Sequence, residues 1–282
     1  MILAKLKDKL LNRFVPPKQV KPSIIYLQKY NAILETIKEN KDNRLVFKLN
    51  NGLSLILREA PHSDRLVFEQ VYVDKEYLPI CEYFINNLNS EESGQINIID
   101  AGANVGYTSL FFNSVFPSAK IIAIEPDNQN FLILSENISL NQLENKIVPL
   151  KMALLGKADI NLLTKTDFRD GKDWAITVEE TNIKTDLKST SISQILSQFQ
   201  INEIDILKID IEGAERYLFE EDSDLTYLNR VKSLIIEIHD EFNCRSQIYY
   251  KLKKNGFVIV NLGESTMALN TKYINIFVKN NS

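Results

Sequence analysis

Glycine, cysteine and histidine are scarce in this 282-residue chain, which carries nine, two and two of them. Cys81 and Cys244 stand alone, in no C-x-x-C pair, and only His62 and His239 could join them, so neither a disulfide framework nor a zinc cluster is expected. That usage fits a reducing, cytoplasmic compartment. No apolar run approaches the roughly 18 residues of a membrane span. The charge arithmetic, 33 basic against 37 acidic residues for a net −4, disfavours an electrostatic grip on nucleic acid. What remains, 44% hydrophobic and 25% charged, is an ordinary globular chain. At this length it buries about 75% of its unfolded surface and needs no covalent staple.

The charge is unevenly placed. Residues 1–21 carry Lys5, Lys7, Lys9, Arg13, Lys18 and Lys21 against Asp8 alone, a net +5 that leaves −9 for the rest. Leu3, Leu6, Leu10 and Phe14 recur among those cations at helical spacing, which predicts a short basic amphipathic helix; the lysines rule out a signal-peptide core. The plain expectation is a helix packed on the main domain. The sharper one is a weak, reversible contact with a protein or with the inner face of a membrane.

Helical spacing from Ile25 to Ile37 predicts a second helix, and Asn51-Gly52 between Leu45–Leu49 and Leu53–Leu57 predicts a β-hairpin. Val67–Val73 reads as a strand or extended segment and Leu78–Leu88 as a helix. From Ile96 onward short β-branched runs alternate with helical segments, the pattern of a parallel sheet. The expected strands are Asn97–Asp100, Lys120–Glu125, Lys146–Leu150, Asp205–Asp210, Ser233–His239, Phe257–Asn261 and Tyr273–Val278. Helices are expected at Thr108–Val115, Asn128–Asn141, Ser191–Phe199, Ala214–Glu221 and Cys244–Lys254. The reading is a doubly wound α/β domain over residues 96–282, preceded by a helical and hairpin region over residues 1–95.

Two of the scarce glycines fall within five residues, in Asp100-Ala-Gly102-Ala-Asn104-Val-Gly106-Tyr-Thr108, between an apolar strand and a helix. Glycines there let a ligand approach exposed backbone at the strand's carboxyl end. Glu125 closes the second strand, where a carboxylate can accept both hydroxyls of a ribose. The G-x-x-x-G spacing fits neither the dinucleotide fingerprint nor a P-loop. An acidic residue two before the first glycine suits a ligand with an ammonium group, such as S-adenosylmethionine. A glycine turn that serves only strand-to-helix packing is the plain alternative.

Asp100-Ala-Gly-Ala-Asn-Val-Gly-Tyr-Thr-Ser109, Glu125-Pro126 with Asn137, Lys208-Ile-Asp-Ile-Glu-Gly-Ala-Glu215 and Glu237-Ile-His239 resemble, in order and spacing, the FkbM family of S-adenosylmethionine-dependent methyltransferases. Upstream, Ser63-Asp64-Arg-Leu-Val-Phe68 and Glu76-Tyr77 look like that family's lead-in. The resemblance implies a class I methyltransferase fold, with seven strands and the last antiparallel. It also implies methyl transfer to a hydroxyl of a sugar, glycan or other secondary metabolite. Where the family shows Leu-Asp before one helix, this chain has Ser191-Ile192-Ser193, which can still cap the helix.

The cofactor residues expected on this reading are Asp100, Gly102, Asn104, Gly106, Thr108, Glu125 and Asp210. Lys208 and Asp210 share one face of their strand, and Glu237 and His239 share one face of the next. His239, with an ordinary pKa of about 6.5, is the expected base for the hydroxyl proton, oriented by Glu237, with Asp210 beside the sulfonium. Asp210, Glu212, Glu237 or His239 could hold a divalent cation, but no spacing demands one and none is assigned. Trp174, the single tryptophan, is a candidate sugar platform or a loop-packing residue. Transfer to nitrogen or a carboxylate, or a non-catalytic scaffold that binds S-adenosylmethionine, remain as alternatives.

Overall fold

The computed structural model describes residues 22–30, 33–39, 44–87, 95–165 and 177–274. The basic segment 1–21 and Trp174 lie outside them. The chain begins with α1 (Pro22–Gln28) and a three-stranded antiparallel sheet of β1 (Leu34–Glu39), β2 (Leu45–Leu49) and β3 (Ser54–Leu57). The expected hairpin at Asn51-Gly52 therefore forms. The expected second helix does not continue: it stops at Gln28, and Leu34–Glu39 pairs with β2 from Leu34↔Leu49 to Glu39↔Leu45. The open edge of β2 supplies backbone partners along a stretch with β-branched Thr36 and Ile37, and that pairing overrides the helical spacing.

The extended segment expected at Val67–Val73 is instead helical. α2 (Asp64–Phe68) runs straight into a π-helical turn over Glu69–Val73. Val67 with Val71 and Phe68 with Tyr72 are buried pairs four residues apart, a helical face that a short apolar run concealed. α3 (Leu78–Asn87) follows.

The second region alternates as expected: β4 (Asn97–Ala101), α4 (Tyr107–Val115), β5 (Lys120–Ile124), α5 (Asn128–Leu140) and β6 (Ile147–Leu150). Short pairs follow, β7 (Ala153–Leu154) with β10 (Ser189–Thr190) and β8 (Leu162–Lys165) with β9 (Thr177–Glu180). Then come α6 (Ile192–Gln198), β11 (Ile204–Ile209), a single helical turn α7 (Glu215–Leu218), β12 (Val231–Glu237), α8 (Arg245–Lys254), β13 (Phe257–Leu262) and β14 (Ser265–Asn270). Asp127 caps α5 by accepting from the Gln129 and Asn130 N–H groups. Ser191 caps α6 through Gln194, so the serine keeps the capping role.

The main sheet has seven strands in the order β13-β14-β12-β11-β4-β5-β6, all parallel except β14, which is antiparallel to both neighbours. The antiparallel seventh strand was expected, but its position is corrected. It lies at Ser265–Asn270, while Thr271–Tyr273 is a 3₁₀ turn and residues 275–278 fall outside the described set. A two-residue turn with Gly263 at φ +87 returns the chain from β13. Every residue of β14 is buried because it has a strand on each side. Its polar side chains find partners: Ser265 on Glu76, Thr266 on Tyr249, Asn270 on the Leu228 and Val231 carbonyls.

Alternation along the strands sends side chains into two cores. Ile98, Ile121, Ile206 and Ile235 face the core shared with the hairpin, α2–α5 and the π-turn. Ile99, Ile122, Leu207 and Ile236 face the core under α6 and α8. The amino-terminal region is tied to the first face by hydrogen bonds: the Tyr107 hydroxyl to the Ile56 carbonyl (2.6 Å), the Ile56 N–H to Asn137 (2.8 Å) and Arg58 to Asn130 (2.8 Å). It forms a roof over that side of the sheet.

Candidate active site

β4 and β11 are adjacent although β5 and β6 intervene in the chain, so their carboxyl ends bracket the point where the winding reverses. A cavity of about 520 Å³ opens there. Its walls come from the loop after β4 (Gly102, Ala103, Asn104), from Thr108, from Lys208, Asp210 and Glu212 at the end of β11, and from Glu237 and His239 at the end of β12. Val67, Gln70 and Tyr77 contribute from the amino-terminal roof. The lining carries six carboxylates, Asp210, Glu212, Glu237, Asp240, Glu241 and Glu264, against Lys208, Arg245 and His239, and so favours a cationic occupant.

Of the residues expected to bind cofactor, Gly102, Asn104, Thr108 and Asp210 line the cavity, whereas Asp100, Gly106 and Glu125 do not. Asp100 is fully buried, accepts from the Ser109 hydroxyl (2.6 Å) and lies 3.3 Å from Lys208 Nζ. Its charge is already answered, so the ammonium contact expected of it is not open in this structure. Lys208 is just as buried and also donates to the Gly102 carbonyl (2.7 Å). Burial alone would lower its pKa, but Asp100 and Asp210 outweigh burial and push it up.

Glycine at 102 also has a packing cause. Its φ is +79, and a Cβ there would meet the Asp210 carbonyl oxygen at 1.6 Å, so the loop is glycine because two backbones converge. At Gly106 a Cβ would meet Leu134 Cδ1 at 2.6 Å, again a packing requirement. Glu125 is buried beneath the loop, accepting from the Asn104 N–H through one oxygen and from the Asp127 N–H through the other, both at 2.8 Å. Burial pushes it up to about 7 despite those two bonds. It shapes the loop first, and a ribose would have to share its oxygens.

The expected pairing of Glu237 and His239 on one face is found, but the imidazole is oriented by a different carboxylate. Glu215 Oε1, fully buried, accepts from both the His239 N–H (2.8 Å) and Nδ1 (2.7 Å). Nε2 lies 3.3 Å from Glu212 Oε2 and 3.8 Å from Glu237 Oε1. Burial would lower the pKa of His239, yet Glu212 and Glu215 raise it to about 11. The two carboxylates therefore favour the imidazolium, which argues against the free base expected of His239. Glu237 is pushed up to about 8, first by the charge of Asp210 and then by burial. Glu215 carried no role in the sequence reading, although it stands two residues after Gly213 and takes that residue's N–H as well.

Over residues 100–259, more than half of the chain, the sequence matches the family described as the Methyltransferase FkbM domain. The chain belongs to this family. The matched span contains the loop after β4 and the carboxylates at the ends of β11 and β12, so the FkbM domain builds most of the cavity wall. Among curated proteins, "Methyltransferase sdnD" of Sordaria araneosa is 27% identical over 236 residues, covering 71% of this chain and 89% of that protein. "Methyltransferase 1" of Beauveria bassiana is 24% identical over 188 residues, covering 57% and 72%. Among solved structures, the amino-terminal domain of human METTL16 covers 91% of this chain and 96% of its own at 14% identity, with a TM-score of 0.44. This FkbM-domain protein is a methyltransferase with the class I fold.

Proposed function

We propose that this methyltransferase uses S-adenosylmethionine and transfers its methyl group to a hydroxyl of a sugar, glycan or other secondary metabolite. The observation that carries the reading is the chemistry of the cavity wall. Asn104 Oδ1 is buried with no hydrogen-bond partner among the described residues, on a loop facing the carboxylates of Asp210 and Glu237. An acceptor atom left open in an acidic cavity fits a ligand with ammonium and hydroxyl donors and a sulfonium charge. When bound, that cofactor supplies the electrophilic methyl carbon.

The chain's own residues do the rest. Gly102 and Asn104 present the loop to the nucleoside, and Thr108 lines the cavity with them. Lys208 neutralises Asp100 and steadies Asp210 at 3.5 Å, fixing the carboxylate on the cofactor side. Glu237 receives the hydroxyl proton in its ionised form, so turnover should rise with pH through its ionisation near 8; both ring nitrogens of His239 are turned to glutamates, while the Glu237 carboxylate opens to the cavity. Positioning of acceptor against donor supplies much of the remaining rate.

The acidic wall also suits an amine acceptor, which makes transfer to nitrogen the competing reading, and it repels a nucleic-acid backbone. Cys81 and Cys244 are buried free thiols, in keeping with a cytoplasmic setting, and the basic segment 1–21 remains a candidate for weak membrane or protein contact. Among the described residues no helix is long and apolar enough to cross a membrane. The test is calorimetric titration with S-adenosylmethionine, followed by a methyl-release assay on glycans, polyols, amines and carboxylic acids. Turnover confined to hydroxyl acceptors supports the proposal, turnover on amines alone replaces it, and binding without turnover on any acceptor makes the chain a scaffold.

A further inference from the structure

We propose that Asp210, Glu212 and His239 form a site for one first-row divalent cation, with Glu215 holding the imidazole in the ligating tautomer. The three ligand atoms lie within 4.8 Å of one another. Two ligands about 2.1 Å from a metal and at right angles sit about 3 Å apart, close to the 3.3 Å between His239 Nε2 and Glu212 Oε2.

An acidic cluster alone would not carry this; the state of the histidine does. His239 is 2% exposed, and its Nε2 makes no hydrogen bond although it points at the carboxylates. Nδ1 is committed to Glu215, which holds the backbone N–H of the same residue and has no exposure of its own. A ligating histidine is typically held in this way, its other nitrogen donating to a buried carboxylate so that the free lone pair is aimed at the ion. With no ion bound, a proton on Nε2 faces the Glu212 oxygen at 3.3 Å, and the cation would take the place of that proton. The backbone is also bent to make the meeting: Glu212 sits at φ +52, in the left-handed region that disfavours a side chain.

One imidazole nitrogen and two carboxylates favour manganese, iron or zinc over the alkali and larger alkaline-earth ions. The site opens on the cavity beside Glu237. On the methyl-transfer reading, which this role of the ion rests on, an acceptor hydroxyl bound to the cation would be acidified next to Glu237. The acceptors favoured would be those with two adjacent oxygens able to chelate.

The test uses the full chain, stripped with a chelator, dialysed and titrated with manganese without any acceptor while free ion is followed by electron paramagnetic resonance. One ion per chain is expected, weakened about tenfold or more by Glu212→Gln, with Glu241→Gln, elsewhere in the same wall, close to wild type. A thermal melt checks that each variant is folded. Should Glu212→Gln fail to fold, nitrogen NMR of wild-type His239 decides: added zinc must shift Nε2 while Nδ1 keeps its proton. Absence of binding below millimolar ion, equal losses in both variants, or an unmoved Nε2 overturns the site. Titration of the same stripped protein with S-adenosylmethionine separates the two proposals. Cofactor binding without manganese binding rejects the ion alone, and manganese binding without cofactor binding rejects the proposed cofactor alone.

Discussion

Gly102→Ala adds one methyl group where the loop after β4 meets the end of β11. The added Cβ would stand 1.6 Å from the Asp210 carbonyl oxygen and 2.7 Å from its carbonyl carbon. Asp210 has little room to retreat, because its N–H donates to the Ala101 carbonyl (3.0 Å) and Ile209 before it is in register with Ala101. The left-handed φ costs a residue with a Cβ about 1–2 kcal/mol. Overpacking against fixed backbone adds about 1–3 kcal/mol, so the expected loss of stability is about 2–5 kcal/mol. Gly52→Ala is the internal control: φ is +94 but nothing lies within 4 Å, so only the backbone part, about 1–2 kcal/mol, applies. Urea unfolding of both variants at neutral pH reads the difference as a shift of midpoint at unchanged slope. If Gly102→Ala costs no more than Gly52→Ala, the close approach of the two backbones is refuted. A Gly102→Val variant that loses cofactor affinity while keeping full stability would restore the steric role expected from the sequence.

Three further outcomes follow from the site. Glu125 holds its proton in the folded chain up to about pH 7 and releases it near 4.5 when unfolded; the unfolded state therefore binds fewer protons in that window and stability falls as pH rises through it. The fall is about 3 kcal/mol and should be absent in Glu125→Gln; parallel curves for the two proteins in urea unfolding against pH would show that the burial of Glu125 has been misjudged. His239→Ala leaves Glu215 buried beside no cation and should cost about 3–5 kcal/mol in unfolding experiments, whereas a loss under 1 kcal/mol would mean that Glu215 is satisfied elsewhere. Glu237→Gln should lower kcat by about 10²–10⁴ with S-adenosylmethionine affinity nearly unchanged; wild-type turnover in that variant moves the proton acceptor to another group.

Much of the architecture was legible because it is written in local pattern. Strands β4, β5 and β11 are short β-branched runs whose alternation sorts Ile98 from Ile99 and Ile206 from Leu207, and caps such as Asp127 and Ser191 mark the helices that follow. The segments misread are those whose state depends on distant partners. Leu34–Glu39 is a strand only because β2 offers it an edge. Val67–Val73 is too short for periodicity to separate helix from strand. Ser265–Asn270 is half polar and becomes a central strand only because Glu76, Tyr249 and the Leu228 and Val231 carbonyls satisfy its side chains.

The sequence by itself determined which residues gather: motifs at the carboxyl ends of successive parallel strands must converge, so Gly102, Asn104, Asp210, Glu237 and His239 reach one cavity as expected. What each of them does there was decided by tertiary contacts. Asp210 stands two residues after Lys208 and Asp100 lies in register with Lys208 on the neighbouring parallel strand, yet only packing buries Asp100 and leaves Asp210 23% exposed to the cavity. His239 reads as a base when its ordinary pKa is all that is known; the buried Glu215 at Nδ1 and Glu212 near Nε2 favour its protonated form instead. Charge and solvation are properties of surroundings, and the surroundings of these side chains come from segments that are remote in the chain.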